Sequence, residues 1–267
     1  MNRSVLITGA SSGIGEATAR HMAAQGWRVF GTSRHARPDA SDEGIHFVVM
    51  DVCDEVSVQA GVAQVVEASG GLDAVVCNAG MGIFGSVEDV TIEDAKAQFE
   101  TNFFGVLRVL RATLPALREQ GNARVVLVGS LAGRAPIPFQ AHYSASKAAV
   151  DALLGSLINE LAPFGIRASL VEPGDINTPF NDAMSWTSSA ADSAYREGLA
   201  QTEAKIRESL PKAPPADDVA RCIERALNAR SPRARYTVGD SAWLVPLARR
   251  LLPDRISLML IRKHFDL

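Results

Sequence analysis

The chain has 267 residues, of which 47% are hydrophobic and 21% charged, and its formal net charge is −3. These values are typical of a globular α/β domain with a sizeable core, and the lack of a basic excess argues against nucleic acid as a partner. Three widely spaced cysteines, Cys53, Cys77 and Cys222, indicate buried free thiols rather than a disulfide framework or a metal site. The first apolar run, Val5 to Ile7, is too short for a secretory signal, and no apolar stretch nears the roughly 20 residues that span a bilayer. We therefore expect a cytoplasmic protein.

The first predicted strand, Ser4 to Ile7, leads into a glycine-rich turn and then into a helix from Glu16 to Gln25. The turn contains Gly9, Gly13 and Gly15. Glycines let the backbone approach a pyrophosphate, and the helix N-terminus behind them offers unpaired N–H groups and a favourable dipole end. In this setting of strand, turn and helix, the loop predicts a dinucleotide site, and a plain tight turn is the alternative.

The second predicted strand, Arg28 to Gly31, ends at Thr32, Ser33 and Arg34. In a dinucleotide fold this end meets the adenosine ribose, where an acidic residue would hold the 2′-hydroxyl of NAD. No acidic residue stands there. The Arg34 guanidinium, helped by the hydroxyls of Ser33 and Ser12, suits a 2′-phosphate. We therefore predict NADP(H) in preference to NAD(H), and a solvated surface arginine is the alternative.

The third predicted strand, His46 to Met50, ends at Asp51 and Val52. Two roles are open for the Asp51 carboxylate. It is placed to accept a hydrogen bond from the adenine amino group, or it caps the helix that we expect from about Glu55.

The fourth predicted strand, Leu72 to Val76, leads to Asn78 and Gly80. We expect Asn78 to bridge strands by hydrogen bonds and Gly80 to allow close approach of a cofactor. A long helical stretch, Ile92 to Arg118, follows and contains Asn102 on an otherwise apolar face. A buried amide at that position favours a kink or a bound water.

The residues best suited to catalysis follow the next predicted strand, Ala123 to Val128. Ser130 lies at its C-terminal end, the edge where open α/β sheets bind ligands. Tyr143 and Lys147 stand four apart at the start of a helix, so their side chains share one face. A nearby ammonium favours the phenolate and should lower the Tyr143 pKa towards neutrality, while the Ser130 hydroxyl holds a carbinol or carbonyl oxygen.

The region after the sixth predicted strand, Arg167 to Val171, changes in composition. Residues from about 179 to 215 are rich in Ser, Ala and charged groups, and they predict a helical lid over the site. A helix, Asp217 to Ala229, and a short strand, Tyr236 to Val238, come next. The tail from about 240 to 267 interleaves apolar and basic residues, so it packs over the pocket or a subunit boundary, or it lies on a membrane surface.

Six motifs stand in the order and approximate spacing of one family: Thr8-Gly9 with Gly13-Ile14-Gly15, Asn78-Ala79-Gly80, Asn102, Ser130, Tyr143 with Lys147, and Pro173-Gly174 with Thr178. The chain thus resembles the short-chain dehydrogenase/reductase family, and within it the subgroup near 17β-hydroxysteroid and retinol dehydrogenases. The resemblance implies one α/β domain over residues 1–267. Its Rossmann-type, doubly wound sheet would be mainly parallel and seven-stranded, with helices on both faces.

The resemblance also implies roles for these residues. Tyr143 is expected to be the general acid/base and Ser130 to orient the substrate oxygen. Lys147 would bind the nicotinamide ribose and lower the Tyr143 pKa, and Asn102 would hold a water of a proton relay. The expected cofactor-binding residues are Gly9, Ser11, Ser12, Gly13, Ile14, Gly15, Ser33, Arg34, Asp51, Val52, Asn78, Ala79, Gly80, Tyr143, Lys147, Pro173, Gly174, Ile176 and Thr178.

The implied reaction is hydride transfer between NADP(H) and a carbonyl or secondary alcohol of an apolar substrate resembling a steroid, retinoid or fatty carbonyl. Substrate contacts are expected from Ala132, Pro136, Ile137, Phe139 and the region from Phe180 to Tyr195. We also expect a homodimer or homotetramer, formed through the long helices near Ile92 and Tyr143. The alternative is a non-catalytic regulator that senses a dinucleotide, although such a protein would have no need of the complete catalytic set.

Overall fold

The computed structural model describes residues 3–37, 44–181, 184–186, 193–239 and 242–267. Its strands are β1 (Ser4–Ile7), β2 (Arg28–Ser33), β3 (Ile45–Val49), β4 (Ala74–Cys77), β5 (Ile83–Phe84), β6 (Arg124–Val128), β7 (Arg167–Pro173), β8 (Ser185–Trp186) and β9 (Arg235–Val238). Seven of them form a parallel sheet in the order β3-β2-β1-β4-β6-β7-β9. The doubly wound seven-stranded α/β fold is therefore confirmed.

Helices cover both faces of this sheet, and the described residues form nine α-helices in all. They are α1 (Gly13–Ala24), α2 (Glu55–Ser69), α3 (Ile92–Phe99), α4 (Gly105–Gln120), α5 (Ala141–Leu161), α6 (Arg196–Ser209), α7 (Ala216–Asn228), α8 (Leu244–Leu251) and α9 (Asp254–His264). One core cluster joins α2, α4 and α5 to one face, and a second joins α1 and α7 to the other. No helix among the described residues has both the length and the hydropathy needed to cross a membrane.

The central strands read as continuous apolar runs because both of their faces are covered. On β1, Leu6 packs into one core cluster, while Val5 and Ile7 pack into the other. All three side chains are fully buried. This arrangement is the expected consequence of side chains that alternate across a parallel sheet with helices on both sides.

The strand order reverses between β1 and β4, and hydrogen bonds lock the chain at that point. The Thr8 Oγ1 accepts from the backbone N–H groups of Asn78 and Ala79, at 2.9 and 3.0 Å. In return, the Asn78 Nδ2 donates to the carbonyls of Thr8 and Gly9, at 2.9 and 3.2 Å. The predicted bridging by Asn78 is confirmed, and it fixes the loops that form the crevice at the reversal.

Two local features differ from the sequence-based expectation. The helix predicted over Ile92 to Arg118 is interrupted by a π-helical segment, Glu100–Phe104, which contains Asn102, the residue at which the sequence favoured a kink or a bound water. Strand β8 lies within the region predicted to be purely helical and pairs with β5. In that same region, residues 182–183 and 187–192 lie outside the described part of the chain.

Candidate active site

A cavity of about 490 Å³ lies at the C-terminal ends of the strands, where the strand order reverses. Nearly all of the predicted site residues line it. They are Gly9, Ser11, Ser12, Gly13, Ile14, Ser33, Arg34, Asp51, Val52, Asn78, Ala79, Gly80, Ser130, Tyr143, Lys147, Pro173, Gly174, Ile176 and Thr178. Of the predicted set, Gly15 and Asn102 stand behind the wall rather than on it.

The glycine-rich turn between β1 and α1 has no room for side chains at its closest approaches. Gly9 and Gly13 adopt φ angles of +65° and +55°, which favour glycine. A Cβ added at Gly15 would lie 2.2 Å from the Gly9 carbonyl oxygen and 2.5 Å from the Asn78 Nδ2. The turn therefore leaves a bare backbone cradle in front of the α1 N-terminus, and this cradle fits a pyrophosphate.

One end of the cavity is basic. Ser12, Ser33 and Arg34 line it, and the Arg34 side chain is exposed at the end of β2. A second arginine, which sequence reasoning missed, reaches the same turn. The Arg37 Nη1 donates to the Ser11 carbonyl at 2.7 Å. Its one signal in the sequence is its position three residues after Arg34.

The alternative role of Asp51 as a helix cap is wrong. Asp54 caps α2 instead, because its carboxylate accepts from the backbone N–H of Val56 at 2.8 Å. Asp51 lines the cavity, and its Oδ1 accepts from the Cys53 N–H at 2.9 Å. One carboxylate oxygen of Asp51 therefore faces its own turn, and the side chain borders the cavity at the end of β3.

The catalytic candidates converge in the middle of the cavity. Ser130 follows β6, and its hydroxyl lies close enough to the Tyr143 hydroxyl to lower the pKa of that phenol. The turn after Ser130 packs directly on α5, since a Cβ at Gly133 would lie 2.9 Å from the Lys147 carbonyl carbon. The Lys147 Nζ donates to the Val128 carbonyl at 3.0 Å. The fold thus places a serine, a tyrosine and a lysine on two neighbouring elements.

The pKa of Tyr143 is shifted in the direction opposite to that expected from the sequence. Burial of its hydroxyl raises the pKa to about 12, and the interaction with the nearby Ser130 hydroxyl opposes this rise. Burial also lowers the pKa of Lys147 to about 8. The predicted lowering of the Tyr143 pKa by Lys147 is therefore wrong. Desolvation has the largest effect on this pKa, and the Lys147 ammonium donates to the Val128 carbonyl instead.

Asn102 is buried in the π segment and connects two parts of the site. Its Oδ1 accepts from the Met81 N–H at 2.9 Å, and its Nδ2 donates to the Met81 carbonyl at 3.0 Å. The Nδ2 also donates to the Ser146 hydroxyl at 3.0 Å, and Ser146 donates to the Tyr143 carbonyl at 2.7 Å. Asn102 therefore ties the loop after β4 to the first turn of α5.

The remaining wall is largely apolar and includes residues distant in sequence. The Phe180 ring lies 5.8 Å from the Tyr143 ring, measured between centroids. Ile137, Ile206 and Phe265 also line the cavity. Of the predicted substrate contacts, Ile137 and Phe180 lie on the wall, whereas Ala132, Pro136 and Phe139 do not. Sequence reasoning missed Lys205, Ile206, Ser209, His264 and Phe265, which come from α6 and the end of the chain.

Comparison with known proteins agrees with this geometry. A family profile described as short chain dehydrogenase matches residues 3–188. The chain belongs to this family. A short-chain dehydrogenase structure from Streptomyces avermitilis superposes with a TM-score of 0.81 at 28% identity, over 100% of this chain and 96% of that one.

Three named relatives are similar to the chain. A 3-ketodihydrosphingosine reductase from Bacteroides thetaiotaomicron is 42% identical over 67% of this chain and 65% of its own length. An NADPH-dependent 3-dehydrocapnine reductase from Ornithobacterium rhinotracheale is 32% identical over 95% of this chain and 94% of its own length. The human 17-beta-hydroxysteroid dehydrogenase type 1 is 33% identical over 94% of this chain and 81% of its own length. The predicted family and its resemblance to hydroxysteroid dehydrogenases are confirmed.

As a family member, the chain is an oxidoreductase with a site for a nicotinamide dinucleotide. The residues present fit that group, because the cradle at Gly9, Gly13 and Gly15 leaves space for a pyrophosphate. Gly80 also lets a bound dinucleotide come close to the backbone. An added Cβ at this position would lie 3.3 Å from the Asn102 Oδ1 and 3.6 Å from the Lys147 Nζ.

Proposed function

We propose that this protein is an NADP(H)-dependent oxidoreductase that acts on a carbonyl group or secondary alcohol of an apolar substrate. The observation that carries the proposal is a single cavity with three chemically distinct parts. It has a basic end at Arg34, the Ser130, Tyr143 and Lys147 side chains in the middle, and an apolar wall that includes Phe180. These parts match a phosphorylated dinucleotide, a reacting oxygen and an apolar substrate body.

The dinucleotide supplies or accepts a hydride when it is bound, and the chain positions the reactants and moves the proton. The Tyr143 hydroxyl stays protonated at neutral pH because burial raises its pKa to about 12, so it carries the proton that a carbonyl oxygen must receive on reduction. The Ser130 hydroxyl holds that oxygen beside Tyr143. The Lys147 ammonium, with a pKa of about 8, is charged at neutral pH and available to ribose hydroxyls.

The preference for NADP(H) rests on charge at the end of β2. Arg34 lines the cavity, and the neighbouring Thr32 and Ser33 carry no charge that would repel a 2′-phosphate. Arg37 adds a second guanidinium beside the glycine-rich turn. The name of one relative specifies NADPH dependence. The preference is tested by Arg34→Asp, which we expect to raise the ratio of NADH to NADPH efficiency about 100-fold.

The substrate class rests on the apolar wall of the cavity and on its place next to Tyr143. A panel of ketones and aldehydes from small and polar to steroid-sized, assayed with NADPH and NADH in parallel, tests both proposals. We expect NADPH oxidation with bulky apolar carbonyls. Activity with NADH alone would overturn the cofactor preference, and turnover restricted to small polar carbonyls would overturn the substrate class.

The second candidate is a non-catalytic regulator that binds the dinucleotide without turnover. The convergence of Ser130, Tyr143 and Lys147 in one cavity argues against it, since nucleotide binding alone does not require two hydroxyls beside a buried lysine. Tyr143→Phe separates the two. Loss of turnover with retained NADPH affinity supports the enzyme, whereas absence of turnover by the native protein on the whole panel, with nucleotide bound, supports the regulator.

Three further properties complete the proposal. The region from about 179 to 215 is a substrate lid, a proposal supported by Phe180 and Ile206, which line the cavity from the described part of this region. The protein forms a homo-oligomer through the region of α3 to α5, where Ile92 and Phe104 are 64% and 45% exposed. The three free cysteines suit a reducing cytoplasm.

A further inference from the structure

The last 26 residues, 242–267, expose an unusual amount of apolar surface. We call this part of the molecule the tail surface, defined by the exposed residues Trp243, Leu244, Leu247, Arg250, Leu251, Arg255, Ile256, Leu258, Met259, Leu260, Arg262 and Lys263. Leu251 is 69% exposed and Trp243 is 62% exposed. Clustered exposed apolar side chains of this kind mark an interaction surface.

The apolar residues of α8 form one stripe. Leu244, Leu247 and Leu251 are spaced by three and four residues, so they share a face of the helix. Each is more than 40% exposed. The stripe is therefore directed away from the protein body, which is the opposite of what core packing would produce.

Helix α9 shows the complementary arrangement. Ser257, Ile261 and Phe265 are spaced by four residues and are buried or half-buried, so they form the face that contacts the body. The outward face interleaves exposed leucine and methionine with Arg255 and Lys263. Basic side chains with long apolar stems are suited to an interface where the stem is in an apolar layer and the charge stays in water.

The charge of the tail distinguishes its possible partners. Residues 242–267 contain five Arg and Lys against two Asp, a formal net charge of +3 in a chain whose total is −3. The remaining residues therefore carry −6. In a two-fold dimer through the tail surface, the same cationic patch would face itself, and like charges would repel. An anionic lipid surface attracts this patch and repels the rest of the molecule.

A basic cavity of about 340 Å³ adjoins the start of α8. Its lining includes Trp243, Pro246 and four arginines, Arg134, Arg225, Arg233 and Arg235. Two of these arginines are paired, with Glu172 and Asp151. Arg225 and Arg233 are exposed and form no ion pair with any carboxylate in the described part of the chain. Guanidinium groups beside an exposed tryptophan suit the phosphate of a lipid headgroup.

We propose that the tail surface binds an anionic phospholipid bilayer, with the apolar stripe of α8 and the outward face of α9 in the headgroup region. His264 and Phe265, at the end of α9, also line the 490 Å³ cavity. Docking therefore brings the cavity close to the lipid, from which an apolar substrate can enter. The binding itself does not depend on the proposed function, and its test requires no turnover.

The test is co-sedimentation of the full chain with vesicles of phosphatidylcholine, with and without phosphatidylglycerol, at low and high salt. We expect binding to the phosphatidylglycerol vesicles at low salt, and weaker binding at high salt because ions screen the attraction. We expect Arg250→Gln with Lys263→Gln to lower the partition coefficient roughly 25-fold, since each cation near an anionic surface contributes a factor of about five.

Removal of the apolar contacts should act without changing the charge. Leu251→Ser with Leu258→Ser is expected to lower vesicle binding by about tenfold or more, because two exposed leucines no longer enter the headgroup layer. The matched controls are Val56→Ser with Val87→Ser, at positions 76% and 70% exposed outside the tail. Arg20→Gln with Lys212→Gln controls for the loss of two exposed cations. Both control pairs should bind vesicles like the native protein.

Two results would overturn the proposal. One is the absence of binding to phosphatidylglycerol vesicles at low salt. The other is equal weakening by the tail variants and their controls. The alternative is that a second copy of the chain covers the tail surface. Light scattering after size-exclusion chromatography tests this by measuring the oligomeric state of the native protein and of the leucine variant. If the leucine variant dissociates an oligomer while the native protein ignores vesicles, the tail surface is a subunit interface.

Discussion

Replacement of Lys147 by methionine should stabilise the protein while removing its activity. Lys147 is 6% exposed, and its ammonium forms no ion pair with a carboxylate among the described residues. Burial lowers its pKa from 10.5 to about 8. The folded state therefore holds a charged group at neutral pH that would be more stable in water. Methionine has a similar length and carries no charge.

The magnitude follows from the two pKa values. The difference between 10.5 and about 8 corresponds to a cost of about 3 kcal/mol for keeping Lys147 charged in the folded state. The substitution also removes the hydrogen bond from the Lys147 Nζ to the Val128 carbonyl. The loss of this bond reduces the gain in stability by about 1 kcal/mol. Lys147→Met should thus raise the free energy of unfolding by about 2 kcal/mol at neutral pH, or the Tm by about 5 °C.

The sign of the pH dependence provides the decisive test. Between about pH 8 and 10.5 the unfolded chain binds a proton at Lys147 that the folded chain has released. The stability contribution of the native lysine therefore rises with pH across this window. The advantage of Lys147→Met should fall from about 2 kcal/mol at neutral pH to near zero at about pH 9.5.

The assay is urea unfolding of both proteins without nucleotide, at about pH 7 and about pH 9.5. All other titrating groups are shared, so the difference between the two proteins isolates Lys147. Lys212→Met is the control, because the Lys212 side chain is 77% exposed and its replacement removes no buried charge. A variant less stable than the native protein at neutral pH, or a pH-independent advantage, would refute the desolvation argument.

Three further predictions concern the site. Tyr143→Phe should lower turnover by about 10³-fold, while calorimetry should show an unchanged nucleotide affinity. A loss of turnover of less than tenfold would contradict the role of Tyr143 as the acid. Gly15→Ala should weaken nucleotide binding at least about tenfold because its Cβ would lie 2.2 Å from the Gly9 carbonyl oxygen. Gly155→Ala, with no atom within 4 Å of the new Cβ, should instead stabilise α5 by about 1 kcal/mol. Asn102→Ala should destabilise the protein by about 3 kcal/mol in urea unfolding because three hydrogen bonds are lost, and an effect below about 1 kcal/mol would contradict this accounting.

The glycine turn and the Tyr143–Lys147 pair could be predicted because they depend on local rules. Gly9 and Gly13 adopt positive φ angles in a turn that directly follows a strand, so neighbouring residues suffice to indicate it. Tyr143 and Lys147 share a helix face through their spacing alone. The parallel sheet was predictable as well, since apolar runs of strand length alternate with helices along the chain.

Other features depended on contacts between residues far apart in sequence. Phe265 lines the same cavity as Ser130 because the chain returns over the site after α9. The amphipathic pattern of the tail allowed this position as one of three alternatives and did not decide between them. The π segment at Asn102 is anchored by Met81, in the loop after β4, and by Ser146, in α5. The sequence showed an amide on an apolar face, but its hydrogen-bond partners could be identified only in the fold.

The pKa values of Tyr143 and Lys147 show the same difference between what local sequence predicts and what the fold decides. The sequence by itself determined that Lys147 stands one helical turn from Tyr143, and proximity alone predicts a lowered tyrosine pKa. Only the tertiary structure decided how much water each group loses, and that loss raises the Tyr143 pKa to about 12 and lowers the Lys147 pKa to about 8. Spacing along a helix is a local property, whereas desolvation depends on every element that closes over the site.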